Sequence, residues 1–256
     1  MKTYTLITGA STGFGKSLAI ECASQGMNLV MVSLPNSGLL ELGRFLKSNF
    51  NIEVITFEMD LGSKENCHRL FEKVKAKAAS IKYLINNAGV LSRGYFEDMH
   101  EDYFLTQIHV NVAAPTLLTK LFMEDFKANA PSGILNVSSM ASFFHLPKKQ
   151  VYGGTKAYLL SFSKSLRKEI SKYGIWVSIV CPGGMNTTTG LCLQNRKLGW
   201  LSRTSILDPE VAAKETLQKF FAKKEVIIPG AMNKVFMFLD SIIPMAIKNR
   251  LTANAI

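Results

Sequence analysis

Cysteine and histidine are scarce in this sequence, with four of each among 256 residues. Cys22, Cys67, Cys181 and Cys192 share no CxxC spacing, and no histidine cluster accompanies them. That argues against a disulfide scaffold and against a bound metal, and it suits a reducing, cytoplasmic setting. Acidic residues are the minority charge: 30 Lys and Arg stand against 19 Asp and Glu, a formal net charge of +11. The excess favours anionic partners. The lysines nevertheless come in ones and twos (Lys73, Lys75, Lys77; Lys148, Lys149; Lys223, Lys224), so no nucleic-acid reader is expected. No uninterrupted apolar run approaches the roughly 18 residues that suggest a spanning helix. The start of the chain lacks the apolar stretch and small-residue cleavage site of a signal peptide. Internal repeats, low-complexity tracts and linkers are missing too, which leaves a single domain over 1–256.

Hydrophobic residues make up 47% of the chain and charged residues 19%, ample for a buried core and too apolar for disorder. Short β-like runs alternate with helical patterns. Strands are expected at 3–8, 28–33, 52–58, 83–86, 133–138, 175–181 and 226–228. Helices are expected at 14–25, 39–50, 64–79, 101–126, 152–173 and 209–221. This alternation predicts an α/β fold in which about seven parallel strands form one doubly wound sheet flanked by helices. Continuously apolar runs such as 29–32 and 176–180 fit strands covered on both faces. Residues 186–207 form the one long irregular stretch, and such a loop in a compact domain is usually a binding segment or lid.

Three motifs carry chemistry. The first strand runs into TGASTGFG, Thr8 to Gly15, followed by a helix. Glycines there allow a tight turn and a close backbone approach, and the helix start offers unpaired N–H groups to a phosphate. That makes Gly9, Ser11, Thr12, Gly13, Phe14 and Gly15 candidate cofactor residues. NNAG, Asn86 to Gly89, closes the fourth strand, at the sheet end where ligands of this fold sit. In Tyr152-Gly-Gly-Thr-Lys156 the phenol and ammonium lie four residues apart on one helix face, where the cation is expected to lower the tyrosine pKa. Ser139 ends the fifth strand 13 residues earlier and can reach the same crevice. A hydroxyl donor, an acid/base phenol and a tuning lysine describe a carbonyl site.

Together, TGASTGFG, Asp60, NNAG, Asn111, Ser139, YGGTK and PGGMNT resemble the short-chain dehydrogenases/reductases in order and spacing, over 3 to about 228. The resemblance implies a Rossmann-type fold. It also implies an NAD(P)-dependent enzyme that moves a hydride between nicotinamide and a ketone or secondary alcohol. Tyr152 would be the acid in reduction and the base in oxidation. Lys156 would tune it and hold the nicotinamide ribose, Ser139 would bind the substrate oxygen, and Asn111 would hold a relay water. Asp60 with Leu61 would border the adenine, Asn87, Ala88 and Gly89 the cofactor, and Pro182, Gly183, Met185 and Thr187 the nicotinamide. Family members specific for NAD carry an acid at the end of the second strand. Ser33 stands there, followed by Leu34, Pro35 and Asn36, so no carboxylate repels a 2′-phosphate and no arginine attracts one. NADP(H) is favoured on that basis, with Ser33, Asn36 and Ser37 as donors, and NAD(H) is the fallback.

YGGTK departs from the commoner YSASK by placing two glycines in a helix, at about 1 kcal/mol each relative to alanine. Close packing is one reason and neutral variation the other. The rival reading is a catalytically silent dinucleotide-binding regulator, which would have no need of the Ser–Tyr–Lys set. Sugar-nucleotide epimerases differ in glycine spacing, and enoyl reductases in Tyr–Lys spacing. Leu191, Leu193, Leu198, Trp200 and Leu201 in the lid lean toward a hydrophobic, fatty-acyl or steroid-like substrate, and packing of the lid onto the domain explains them equally well. In the tail 230–256, Val235, Phe238, Leu239, Ile242 and Ala246 form a helical apolar stripe, and Pro244 should end or kink it. That helix is expected to pack on the domain, close the pocket or meet another subunit of a dimer or tetramer. The alternative is a peripheral contact with an anionic membrane, with Lys234, Lys248 and Arg250 flanking it.

Overall fold

The computed structural model describes residues 2–91, 94–144, 146–187, 193 and 204–242, the last four by backbone only. Seven strands are β1 Thr3–Thr8, β2 Asn28–Ser33, β3 Val54–Glu58, β4 Ser80–Asn86, β5 Ser132–Val137, β6 Ile175–Val180 and β7 Val226–Ile227. They form one sheet in the order β3-β2-β1-β4-β5-β6-β7, and every pairing is parallel. The chain first winds outward from β1 to β3, then returns to start β4 on the other side of β1. The switch point therefore lies between β1 and β4, and the crevice beyond their carboxyl ends is where such a sheet holds ligands.

Consecutive strand residues face opposite helical layers. Ile7, Leu29, Met31, Ile85 and Leu135 join one core. It is covered by α1 Gly13–Ser24, α2 Leu39–Asn49 and α8 Pro209–Phe221. Leu6, Val30, Val32, Leu84 and Ile134 join the other. That face is covered by α3 Lys64–Ala76, α5 Ala114–Leu121 and α6 Met123–Ala128. Burial on both faces explains why β5 and β6 have no exposed position. Helix starts follow their local chemistry: the Ser63 hydroxyl accepts the backbone N–H of Asn66 at 3.2 Å ahead of α3, and Pro209 opens α8.

The expected helix at 101–126 is divided. It comprises α4 Glu101–Ile108, a π-turn over His109–Ala113, then α5 and α6. Pro115 has no N–H to return to the Asn111 carbonyl four residues back, which places the irregularity on Asn111. The strand expected at 83–86 begins earlier, at Ser80. Helix α7 Gln150–Ile170 carries the Tyr–Lys pair, and α9 Ala231–Ile242 begins the tail. Pro244, Ala246, Lys248 and Arg250 lie outside the described residues, as does most of the lid, including Leu191, Leu198, Trp200 and Leu201.

Candidate active site

Threonine 8 ties the site together at the end of β1. Its hydroxyl accepts the backbone N–H of Asn87 and of Ala88, each at 3.0 Å. The Asn87 amide in turn donates to the carbonyls of Thr8 and Gly9, both at 3.0 Å. The β4 turn and the glycine loop are thus one braced unit, and Asn87 serves as the brace. Gly9 and Gly13 both have positive φ, at 63° and 52°. A Cβ on Gly15 would lie 2.0 Å from the Gly9 carbonyl oxygen and 2.3 Å from Asn87 Nδ2. Only glycine lets α1 begin this close to β1. Thr12, at the start of α1, makes no side-chain cap, so the first amides of a 12-residue helix are left to another acceptor. This cradle fits a dinucleotide diphosphate.

At the end of β2, the Ser11 and Ser33 hydroxyls hydrogen-bond each other at 2.7 Å. The Ser37 hydroxyl oxygen is buried with no partner among the described residues, which suits a phosphate or ribose acceptor. Two features went unforeseen in the sequence. Asn36 has a positive φ of 56°, and its N–H donates to Glu58 Oε1 at 3.0 Å. Glu58 pairs in register with Ser33, so a carboxylate does stand beside the end of β2, supplied by β3. Asp60 holds its own turn, with Oδ1 accepting the Gly62 N–H at 2.8 Å, and Leu61 is buried next to it.

The acid/base group assembles from the π-turn after α4, the turn that follows β5, and α7. Asn111 is fully buried; its Oδ1 accepts the Val90 N–H at 2.8 Å, while Nδ2 donates to the Val90 carbonyl at 3.0 Å and to Thr155 Oγ1 at 3.1 Å. Thr155 Oγ1 donates to the Tyr152 carbonyl at 2.7 Å, linking the two residues. Lys156 is buried, with Nζ donating to the Val137 carbonyl at 2.9 Å and lying 5.7 Å from the centre of the Tyr152 ring. A Cβ on Gly89 would sit 3.3 Å from both Lys156 Nζ and Asn111 Oδ1, so a side chain there would crowd both groups. Ser139 Oγ accepts the Ala141 N–H at 3.1 Å and shares a hydrogen bond with Tyr152. Ser138, absent from the sequence reading, anchors α7 by donating to the Lys156 carbonyl at 2.8 Å.

Electrostatics correct one expectation. Burial raises the Tyr152 phenol above its ordinary value, and the Ser139 hydrogen bond only partly opposes this. The Lys156 ammonium, itself lowered by burial to about 8, does not offset that rise. The reason is orientation, since Nζ points to the Val137 carbonyl and presents its charge there.

The segment after β6 closes the site. The Met140 N–H donates to the Pro182 carbonyl at 2.9 Å. Thr187 lies so close to Gly13 that a Cβ there would be 3.0 Å from its own. Met185 forms a parallel bridge with Leu207, with Leu207 N–H donating to Gly184 and Asn186 N–H to Leu207. The two ends of the lid are therefore pinned together. The two glycines of YGGTK differ: a Cβ on Gly153 would lie 3.2 Å from the Ala141 carbonyl oxygen, whereas one on Gly154 would meet nothing within 4 Å. Gly153 packs closely; Gly154 does not.

A doubly wound sheet with this loop and this Ser–Tyr–Lys grouping defines a nicotinamide-dependent oxidoreductase. The model of the short chain dehydrogenases matches residues 3–195, and the chain belongs to that family. It is an NAD(P)-dependent dehydrogenase/reductase. An uncharacterized oxidoreductase of Staphylococcus saprophyticus is 32% identical over 183 residues, 71% of this chain and 78% of the relative. A very-long-chain 3-oxoacyl-CoA reductase-A of Danio rerio is 30% identical over 186 residues, 70% of this chain but only 57% of the fish protein. Among solved structures, a short-chain dehydrogenase from Sphingobium yanoikuyae in complex with NADPH superposes with a TM-score of 0.78. It is 26% identical, and the match covers 95% of this chain and 97% of that one.

Proposed function

We propose that the protein reduces a ketone on a hydrophobic molecule, and oxidises the matching secondary alcohol, with NADP(H) favoured over NAD(H). The observation that carries this reading is the meeting of Ser139, Tyr152, Lys156 and Asn111 beside the glycine cradle. When bound, the nicotinamide supplies or accepts the hydride. The protein's part is to orient the carbonyl and move its proton. Ser139 donates to the substrate oxygen, and Tyr152 passes it a proton. A phenol whose pKa is raised stays protonated at neutral pH, the form a proton donor needs. The proton that leaves Tyr152 would be replaced from solvent through Lys156 and a relay water held at Asn111. Gly9, Gly13 and Thr12 would hold the diphosphate, Asp60 and Leu61 the adenine side, and Pro182, Gly183, Met185 and Thr187 the nicotinamide. The orphaned Ser37 hydroxyl supports the 2′-phosphate assignment.

A hydrophobic substrate is supported by the apolar residues that follow NNAG along the chain. Leu91, Tyr95 and Phe96 are exposed there, Phe96 stacks on Phe104 at 4.9 Å, and Lys148 lies 4.3 Å over the Tyr95 ring. The relatives that act on very-long-chain 3-oxoacyl-CoA point the same way. Leu105, Ile108 and Tyr158 give α4 and α7 an exposed apolar face, the surface through which we propose that the chain forms a homo-oligomer. No described helix is long and apolar enough to cross a membrane. Asn233 is buried in the first turn of α9, whereas Val235 and Phe238 of the expected apolar stripe are 45% and 66% exposed. Among the described residues the stripe is therefore not buried on the domain, and another subunit or a membrane surface remains as its partner.

Tyr152→Phe tests the assignment. It removes the proton donor and keeps the ring, so turnover of a bulky ketone should fall by roughly 10²–10⁴ while NADPH binding persists. Turnover close to wild type sinks the role of Tyr152.

A further inference from the structure

We infer that Asn233, in the first turn of α9, is a positioning residue that sets the Pro182–Gly183 backbone against the nicotinamide; this rests on the cofactor placement proposed above. Asn233 is a buried amide, 2% exposed, whose Nδ2 donates to the Pro229 carbonyl at 2.9 Å. Its side chain occupies the volume that any other residue at 183 would claim. A Cβ on Gly183 would lie 2.6 Å from Asn233 Oδ1 and 2.9 Å from Nδ2. The same amide fills the open side of Gly230, whose Cβ would lie 3.2 Å from Nδ2, in a left-handed backbone with φ of 85°.

The contacts form a chain from the tail to the cofactor cleft. Glu215 of α8 accepts the Gly230 N–H at 2.8 Å and the Lys234 ammonium at 2.8 Å, fixing the start of α9. From that fixed turn Asn233 presses on Gly183. Leu207, which also abuts Gly230, bonds Gly184 and Asn186 on the same strip. On its far side the strip meets Met140 through Pro182 and Gly13 through Thr187. Residues 182–187 are thus held between the tail helix and the cofactor loop. Truncating one support lets the backbone shift by a side-chain thickness, enough to misplace a ligand ring.

The effect should be confined to the nicotinamide half, which gives a readout that general destabilisation would not imitate. Binding of NADPH and of 2′-phospho-ADP-ribose, the same molecule without its nicotinamide, would be measured by fluorescence titration and calorimetry. Asn233→Ala should weaken NADPH about tenfold, a loss typical of a displaced supporting residue, and leave the fragment within about twofold. Gly183→Ala should do the same in the wild-type background. It should add little in the Asn233→Ala background, where the new methyl enters the space the amide has left. Unchanged NADPH affinity in either variant, or equal loss of both ligands, overturns the inference. If Asn233→Ala does not fold, the comparison of NADPH with the fragment in Gly183→Ala decides alone. Wild-type protein that binds neither NADPH nor NADH sinks the proposed function first.

Discussion

Lys156 Nζ donates to the Val137 carbonyl at 2.9 Å, so the charge expected to tune Tyr152 is anchored on the backbone of β5. The pairing holds a buried ammonium whose pKa burial lowers from 10.5 to about 8. Protonation inside the fold is therefore disfavoured relative to the unfolded chain. At 1.36 kcal/mol per unit, keeping it charged at neutral pH costs on the order of 3 kcal/mol. Between pH 8 and 10.5 the unfolded state binds more protons, so this cost shrinks as pH rises through that window. Lys156→Met should abolish turnover and yet melt no lower than wild type at pH 7. The wild-type midpoint should gain on the variant between pH 8 and 10. A variant that is strongly destabilised at pH 7 would contradict this account.

Gly153 and Gly154 stand side by side in α7 but have opposite tolerances. Gly154→Ala adds a methyl that meets nothing within 4 Å and removes a flexible residue from a helix interior. It should stabilise by about 0.5–1 kcal/mol, raising the melting point by roughly 1–4 °C with activity retained. Gly153→Ala puts its methyl 3.2 Å from the Ala141 carbonyl, next to Ser139. That variant should gain no stability and lose several-fold in turnover. Equal melting points for the two alanine variants would reject the distinction.

Glu58 brings a carboxylate to the end of β2 from the neighbouring strand. It opposes a 2′-phosphate that Ser33 and Ser37 would otherwise welcome. Glu58→Gln keeps an acceptor for the Asn36 N–H and removes the charge. Because the carboxylate is exposed, the effect should be modest: surface pairs are worth about 0.2–1 kcal/mol, so the NADPH-to-NADH affinity ratio should rise roughly two- to fivefold. The ratio should rise less at high salt. An unchanged ratio would remove Glu58 from cofactor selection.

Much of this site was legible because its signals are local in sequence. TGASTGFG, NNAG and YGGTK each couple a residue type to a strand end or a helix start, and parallel topology then gathers strand ends at one edge of the sheet. The braces were not legible. Thr8 with Asn87, Asn111 with Thr155, and Asn233 with Gly183 are pairs separated by 44 to 79 residues, and only packing sets their geometry. The break in the helix at 101–126 did carry a signal, since Pro115 sits inside an otherwise helical pattern. Glu58 was hidden for a different reason. The family pattern directs attention to the end of β2, whereas the charge arrives there through the β2–β3 register. The direction of the Tyr152 shift was missed because burial, not spacing, dominates it.

Glu215 joins α8 to the tail helix through three donors: the ammonium groups of Lys219 and Lys234 and the backbone N–H of Gly230. Burial alone would raise its pKa, but these donors outweigh it and hold the carboxyl down at about 2, against an ordinary 4.5. The sign follows from where the proton binds. Above pH 4.5 the carboxylate is ionised in both states, and its full contribution to stability is present. As pH falls from 4.5 toward 2 the unfolded chain takes up a proton first, and that contribution drains away. The carboxylate is partly exposed, so roughly 1 kcal/mol is the appropriate scale. Glu215→Gln should therefore loosen α9 at pH 7, with faster amide hydrogen exchange over 231–238 and easier tryptic cleavage after Lys234. The exchange rates of wild type and variant should converge as pH falls from 5 to 2, once corrected for intrinsic exchange. A difference that persists undiminished at pH 2 would mean that shape, not charge, holds the helix. Because Asn233 lies in that first turn, NADPH affinity should weaken in Glu215→Gln at pH 7 along with the exchange protection.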